Sequence, residues 1–116
     1  MSLTLEIDKP EAALSLIRAK GEIDHHTFET LDDELHRLID DGVLRILLDL
    51  GGVTYVSSAG IGALVGAMSE VENGGGALVL YGIQKDVLAV FQTMGFTELF
   101  KIAPSHAAAL DLARAG

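Results

Sequence analysis

Single-step alternation of apolar and polar positions opens the chain. Leu3, Leu5 and Ile7 share one face of residues 3–8, and Leu14, Leu16 and Arg18 share one face of residues 13–20, with Lys9-Pro10-Glu11 between them. A period of two predicts paired strands, and Gly21 closes the unit. Over residues 27–41 the period lengthens. Phe28, Leu31, Leu35, Leu38 and Ile39 line one stripe while Glu29, Asp32, Asp33 and Arg37 take the other side, the signature of an amphipathic helix. Asp40-Asp41-Gly42 supplies its stop, Gly42 being free to turn left-handed at C′. Residues 43–50 are almost continuously apolar and predict a buried strand. A second helix follows over residues 59–72, with Ile61, Leu64, Val65, Met68 and Val71 inward, halted by Gly74-Gly75-Gly76. Residues 77–83 form the next buried strand. Asp86 is placed to cap a third helix whose inner face is Val87, Leu88, Phe91 and Met94, closed by Gly95. A short strand over residues 99–102 precedes a last helix running from Pro104-Ser105 to Arg114.

This order predicts an α/β fold: a mixed sheet of about five strands, opening with a two-stranded unit, and about four helices packed against it. The βα crossovers should be right-handed. With 116 residues, and neither repeats nor a Pro/Ser-rich linker, one domain over residues 1–116 is expected. Aromatic residues make up 5% and Trp is absent, so the core must be aliphatic.

Charge narrows the partners. Eight Lys and Arg against seventeen Asp and Glu give a net charge of −9. Such a surface repels phosphate backbones and anionic lipid, which argues against nucleic acid and membrane partners. No apolar run reaches the ~20 residues that span a bilayer, the first residues lack a signal-peptide pattern, and there is no cysteine. A cytoplasmic protein without disulfides or thiolate metal sites is expected.

Three patterns suggest chemistry. Gly60, Gly62 and Gly66 follow a strand and open a helix, but the spacing is GxGxxxG and the chain is too short for a dinucleotide domain. The histidines at 25, 26, 36 and 106 include no HxxxH pair, and Asp24-His25-His26, read as extended, would point its side chains to opposite faces. No metal and no cofactor is expected. Ser57 and Ser58 lie in Val56-Ser57-Ser58-Ala59-Gly60, which is not the GxSxG of a hydrolase elbow. One serine is expected to cap the second helix, leaving the other hydroxyl exposed at a terminus that tolerates a phosphate. On the same helix Gly62, Gly66, Ser69 and Asn73 form a stripe of small residues that would let another protein's backbone approach.

The segments Gly21-Glu22-Ile23-Asp24-His25-His26-Thr27 and Asp49-Leu50-Gly51-Gly52-Val53-Thr54-Tyr55-Val56-Ser57-Ser58-Ala59-Gly60-Ile61-Gly62 resemble the two signatures of STAS domains, above all those of free-standing bacterial anti-sigma factor antagonists. The stretch with Met94-Gly95-Phe96 resembles that family as well. The resemblance implies a non-enzymatic regulator of transcription. The unmodified form binds an anti-sigma factor that is also a serine kinase, phosphorylation of a serine opening the second helix releases it, and a PP2C-type phosphatase restores it. In the family pattern Asp-Ser-Ser-Gly the second serine accepts the phosphate. Here Ser57, Ser58 and Ala59 precede Gly60, so the acidic residue is replaced by Ser57 and the acceptor position by Ala59. Ser58 is the first choice of acceptor and Ser57 the second. Partner contacts are expected from Asp24, Ser57, Ser58, Ala59, Gly60, Ile61, Gly62 and Gly66. The alternative is a STAS module of a different system, a lipid-transport subunit or a signalling scaffold, with a small enzyme as a third class.

Overall fold

A computed structural model describes residues 2–115. The strands are β1 (Leu3–Glu11), β2 (Leu14–Ile23), β3 (Arg45–Val56), β4 (Ala77–Tyr81) and β5 (Lys101–Ala103). The helices are α1 (Phe28–Asp40), α2 (Ser58–Asn73), α3 (Lys85–Thr93) and α4 (His106–Ala115). The sheet order is β1-β2-β3-β4-β5; β1 runs antiparallel to β2 and every other neighbour pair is parallel. The expected mixed sheet with four helices is therefore present.

Strand order dictates the layering. From β2 to β5 the chain advances one place at a time across the sheet in one direction. Crossovers of a single hand then force α1, α2 and α3 onto the same face. On that face Leu31, Leu35 and Leu38, then Ile61, Leu64, Ala67, Met68 and Val71, then Val87 and Phe91 bury against Ile17, Ile46, Leu48, Leu50, Leu78 and Leu80. Among the described residues no strand follows α4, so that constraint does not apply to it, and α4 packs on the reverse face. Ala109 and Ala113 sit on Leu14, Leu16, Leu47, Val79 and Tyr81. The Arg45 guanidinium donates to the Ala113 carbonyl at 2.9 Å, meeting the negative end of α4. Phe91 and Phe100 are the only phenylalanines fully inside, so the core is mainly aliphatic.

Several boundaries differ from the sequence expectation, among them β1, which runs on to Glu11, β4, which stops at Tyr81, and β5, which spans Lys101–Ala103; the two that shape the site differ through glycine. β2 does not end at Gly21 but runs to Ile23, and β3 does not end at Leu50 but runs to Val56. Register shifts between Arg18 and Lys20, and between Gly21 and Glu22, show that the strands absorb the glycines as bulges. Gly21 holds φ at +117°, and a Cβ there would lie 2.2 Å from the Ser2 carbonyl oxygen. A Cβ on Gly52 would press on Lys20 and the Ala19 carbonyl at 3.1–3.2 Å. These glycines mark close backbone approaches inside continuing strands. A further correction concerns α3: its cap residue is Gln84, whose side-chain amide donates to the Gly51 carbonyl at 2.8 Å, while Asp86 lies in the first turn.

The extra residues matter. They carry β2 and β3 past the body of the sheet, so both strands end together, at Ile23 and Val56, beside the start of α2.

Candidate functional site

Ser57 leaves β3 with extended dihedrals and caps α2, its hydroxyl oxygen accepting from the Gly60 N–H at 3.2 Å. Its carbonyl accepts from the Ile61 N–H at 3.0 Å. Its own N–H donates to the Ile23 carbonyl at 2.7 Å, which ties the end of β2 to the start of α2. Ser57 is half-buried. Ser58, one step on, is exposed and its hydroxyl has no hydrogen-bond partner among the described residues. Of the two serines, one hydroxyl is therefore committed to the fold and the other is presented to solvent. The first turn of α2 carries no acidic side chain, so the positive end of its dipole is uncompensated there.

Gly60 and Ile61, expected among the contact residues, point inward. Ile61 is 2% exposed. A Cβ on Gly60 would stand 2.6 Å from Ile23 Cγ2 and 3.3 Å from Val56 Cγ1. Gly60 is there to let α2 pack against the strand ends, and these two residues shape the turn from within. Ala59 is half-buried. Gly62 and Gly66 are exposed, and nothing lies within 4 Å of a Cβ built on either. No internal packing asks for glycine at those positions.

Asp24 is also inside, 5% exposed. Its Oδ1 accepts from the N–H groups of His26 at 2.8 Å and Thr27 at 2.9 Å. In return the Asp24 N–H donates to Thr27 Oγ1 at 2.9 Å. This reciprocal pair closes the turn over residues 24–27 as a capping box would, one turn ahead of Thr27, the cap residue of α1. Burial works against ionisation of the Asp24 carboxyl, but the hydrogen bonds from His26 and Thr27 together with the nearby His26 ring outweigh it and hold the carboxyl below its ordinary range.

Residues 25–27 form a turn rather than the extended segment expected from the sequence, and the His25 and His26 rings lie 4.1 Å apart. Among the described residues no group of three or more His, Cys, Asp or Glu side chains converges as a metal site. His36 bridges helices, its Nδ1 lying 2.8 Å from the Asp32 carbonyl and its Nε2 3.5 Å from Glu70 Oε1. His106 meets the Tyr81 hydroxyl at 2.9 Å. The sequence reading missed Tyr55, which is 50% exposed and shares with Glu22, Asp24, His25 and His26 a depression of about 340 Å³. An aromatic two residues ahead of the serine pair, in a chain with few aromatics, was the available signal. Thr27 was missed too, although the Asp-x-x-Thr spacing announces the box.

The STAS domain profile matches residues 4–109. The chain belongs to the STAS domain family. BtrV of Bordetella bronchiseptica is 33% identical over 107 residues, covering 92% of this chain and 91% of BtrV. The anti-sigma-B factor antagonist of Listeria monocytogenes is 30% identical over 104 residues, covering 88% and 90%. Among solved structures, the anti-sigma factor antagonist SpoIIAA in its unphosphorylated form superposes with a TM-score of 0.81 at 25% identity, covering 97% of this STAS chain and 98% of SpoIIAA. No helix among the described residues is long and apolar enough to cross a membrane.

Proposed function

We propose that this STAS protein is an anti-sigma factor antagonist. It has no catalytic role of its own. In its unmodified form it binds an anti-sigma factor that doubles as a serine kinase and so frees a sigma factor. Relatives named as anti-sigma factor antagonists, aligned along nearly the whole chain, support this reading. The observation that carries it at residue level is the division of labour between the serines: Ser57 Oγ is spent on the Gly60 N–H, while the exposed Ser58 hydroxyl is free to react.

Ser58 Oγ attacks the γ-phosphorus of ATP held by the kinase, the bond to the β-phosphate oxygen breaks, ADP leaves, and the hydroxyl proton passes to a base on the kinase. The modified side chain carries about −1.5 to −2 charges at pH 7 on a chain already at −9. Within a contact shaped for a hydroxyl, that charge has to be desolvated. A loss of ~3–4 kcal/mol lowers affinity a few hundredfold, enough to exchange partners. The fold survives because the unpaired N–H groups and dipole of α2 accommodate an anion at that end. Hydrolysis by a PP2C-type phosphatase restores the binding form. The exposed edge of α2 at Gly62 and Gly66 extends the contact, with backbone approaching backbone, and the net charge of −9 disfavours nucleic acid as a partner.

Incubation with the anti-sigma kinase of the same genome and ATP is expected to add about 80 Da to the peptide containing Ser58, and Ser58→Ala to abolish the gain. Wild type and Ser58→Ala should retain the kinase in a pull-down and Ser58→Asp should not. Absence of phosphorylation, with equal retention by all three, would instead favour a scaffold or transport-complex module.

A further inference from the structure

We infer that Asp24 is a positioning residue, the aspartate of a capping-box-like turn that aims the Ile23 carbonyl at Ser57 and thereby sets the Ser57–Ser58 turn, rather than a side chain that touches the partner. The inference deepens the proposed function and rests on it for the partner's identity, though not for the geometry.

Three observations carry it. First, Asp24 is nearly inaccessible, and its Oδ1 is already occupied by the His26 and Thr27 N–H groups. That oxygen is spent on the turn and is not on offer to another protein. Second, the box is anchored backwards onto β2: the Thr27 hydroxyl, while accepting from the Asp24 N–H, donates to the Glu22 carbonyl at 2.6 Å. Glu22, Asp24 and Thr27 thus form a closed ring of bonds around Ile23, whose peptide is held on both sides. Third, the Ile23 carbonyl takes the Ser57 N–H at 2.7 Å, the rung that follows the Ile23–Val56 pair of the β2–β3 ladder. Ser57 in turn fixes the first turn of α2 through Gly60, with Ile23 Cγ2 closing the packing below it. Asp24 therefore reaches Ser58 through a relay of short backbone contacts. A contact role would depend on the carboxylate's charge. The positioning role depends only on an acceptor at Oδ1, which Asn supplies as well as Asp.

The test pairs Asp24→Asn, Asp24→Ala, Thr27→Val and Thr27→Ser. Amide hydrogen exchange at Ser57 is read by NMR on each folded variant, and affinity for the anti-sigma kinase is read by calorimetry. Asp24→Ala and Thr27→Val should each speed exchange at Ser57 by about fivefold, the size expected for loss of a cap, and weaken the kinase together. Asp24→Asn and Thr27→Ser should restore both to within about twofold of wild type. The inference is overturned if Asp24→Asn binds as poorly as Asp24→Ala while its Ser57 exchange is normal, since charge would then be the lever. It is equally overturned if Ser57 exchange ignores both Asp24→Ala and Thr27→Val. Failure of every kinase to bind the wild type would refute the proposed function, and the exchange order would still decide the role of Asp24.

Discussion

Three glycines of α2 should respond to alanine with opposite signs, and the contrast follows directly from the space around each. Glycine in a helix interior is about 1 kcal/mol less favourable than alanine. At Gly62 and Gly66 nothing lies within 4 Å of the new Cβ, so that propensity gain is realised in full. Each substitution should stabilise the isolated protein by about 0.5–1 kcal/mol, and the pair by up to about 2. At Gly60 the same gain is opposed by a methyl placed 2.6 Å from Ile23 Cγ2 and 3.2 Å from the Ile23 carbonyl. Ile23 is fully buried and its carbonyl is bonded to Ser57, so it cannot yield. Overpacking of this kind costs about 1–3 kcal/mol, leaving Gly60→Ala destabilised by up to about 2. Urea unfolding at pH 7 measures all three, with a shift of several degrees in Tm as a cross-check. The functional half concerns affinity: Gly62→Ala and Gly66→Ala should weaken the anti-sigma kinase complex while strengthening the fold. A destabilising Gly66→Ala would show that the exposed edge is used within the molecule. A stabilising one that binds normally would remove this edge from the docking surface.

Ser57→Ala should cost about 1 kcal/mol in urea unfolding by freeing the Gly60 N–H, whereas Ser58→Ala should change stability by less than about 0.5 kcal/mol. The Asp32 carbonyl that accepts from His36, helped by the charges of Asp32 and Glu70 and opposed by burial, raises the His36 pKa. Its contribution is complete below the ordinary histidine value and is lost as the pH rises through the raised one. The stability gap between wild type and His36→Gln should therefore shrink as the pH rises above about 6.5. Asp24 has the opposite sign: its lowered pKa stabilises above the ordinary aspartate value and the benefit is lost as the pH falls through the folded one. Acid titration of unfolding should show Asp24→Asn converging on wild type below about pH 4.

Periodicity made most of the architecture legible. The 3.6-residue stripe of Leu31, Leu35 and Leu38 and the nearly continuous apolar run ending at Leu50 were strong because burial on the sheet demands them. What periodicity hid was the far end of each signature strand. Gly21 read as the end of its unit and Leu50 as the end of the next strand, and only the bulged pairing of β2 with β3 shows that the strands pass through Gly21 and Gly51-Gly52. The serine pair was legible as a capping element, but which serine caps depends on the dihedrals of Ser57, and sequence alone left that open. Asp24 was legible as important, but its burial was not, because burial of a carboxylate is decided by a turn that brings Thr27 back onto it. Gly60 and Gly62 look equivalent as letters, yet one faces Ile23 and the other faces solvent.

Placing α4 by itself on the reverse of the sheet separates two sides of the molecule. The proposed kinase contacts lie at the strand ends around α2, while Ala109, Ala113 and the Arg45–Ala113 bond hold α4 on the far side. Leu112, 39% exposed on that helix, is accordingly a place to attach a dye or a surface tether. A reporter mounted there would watch the serine being modified without standing in anyone's way.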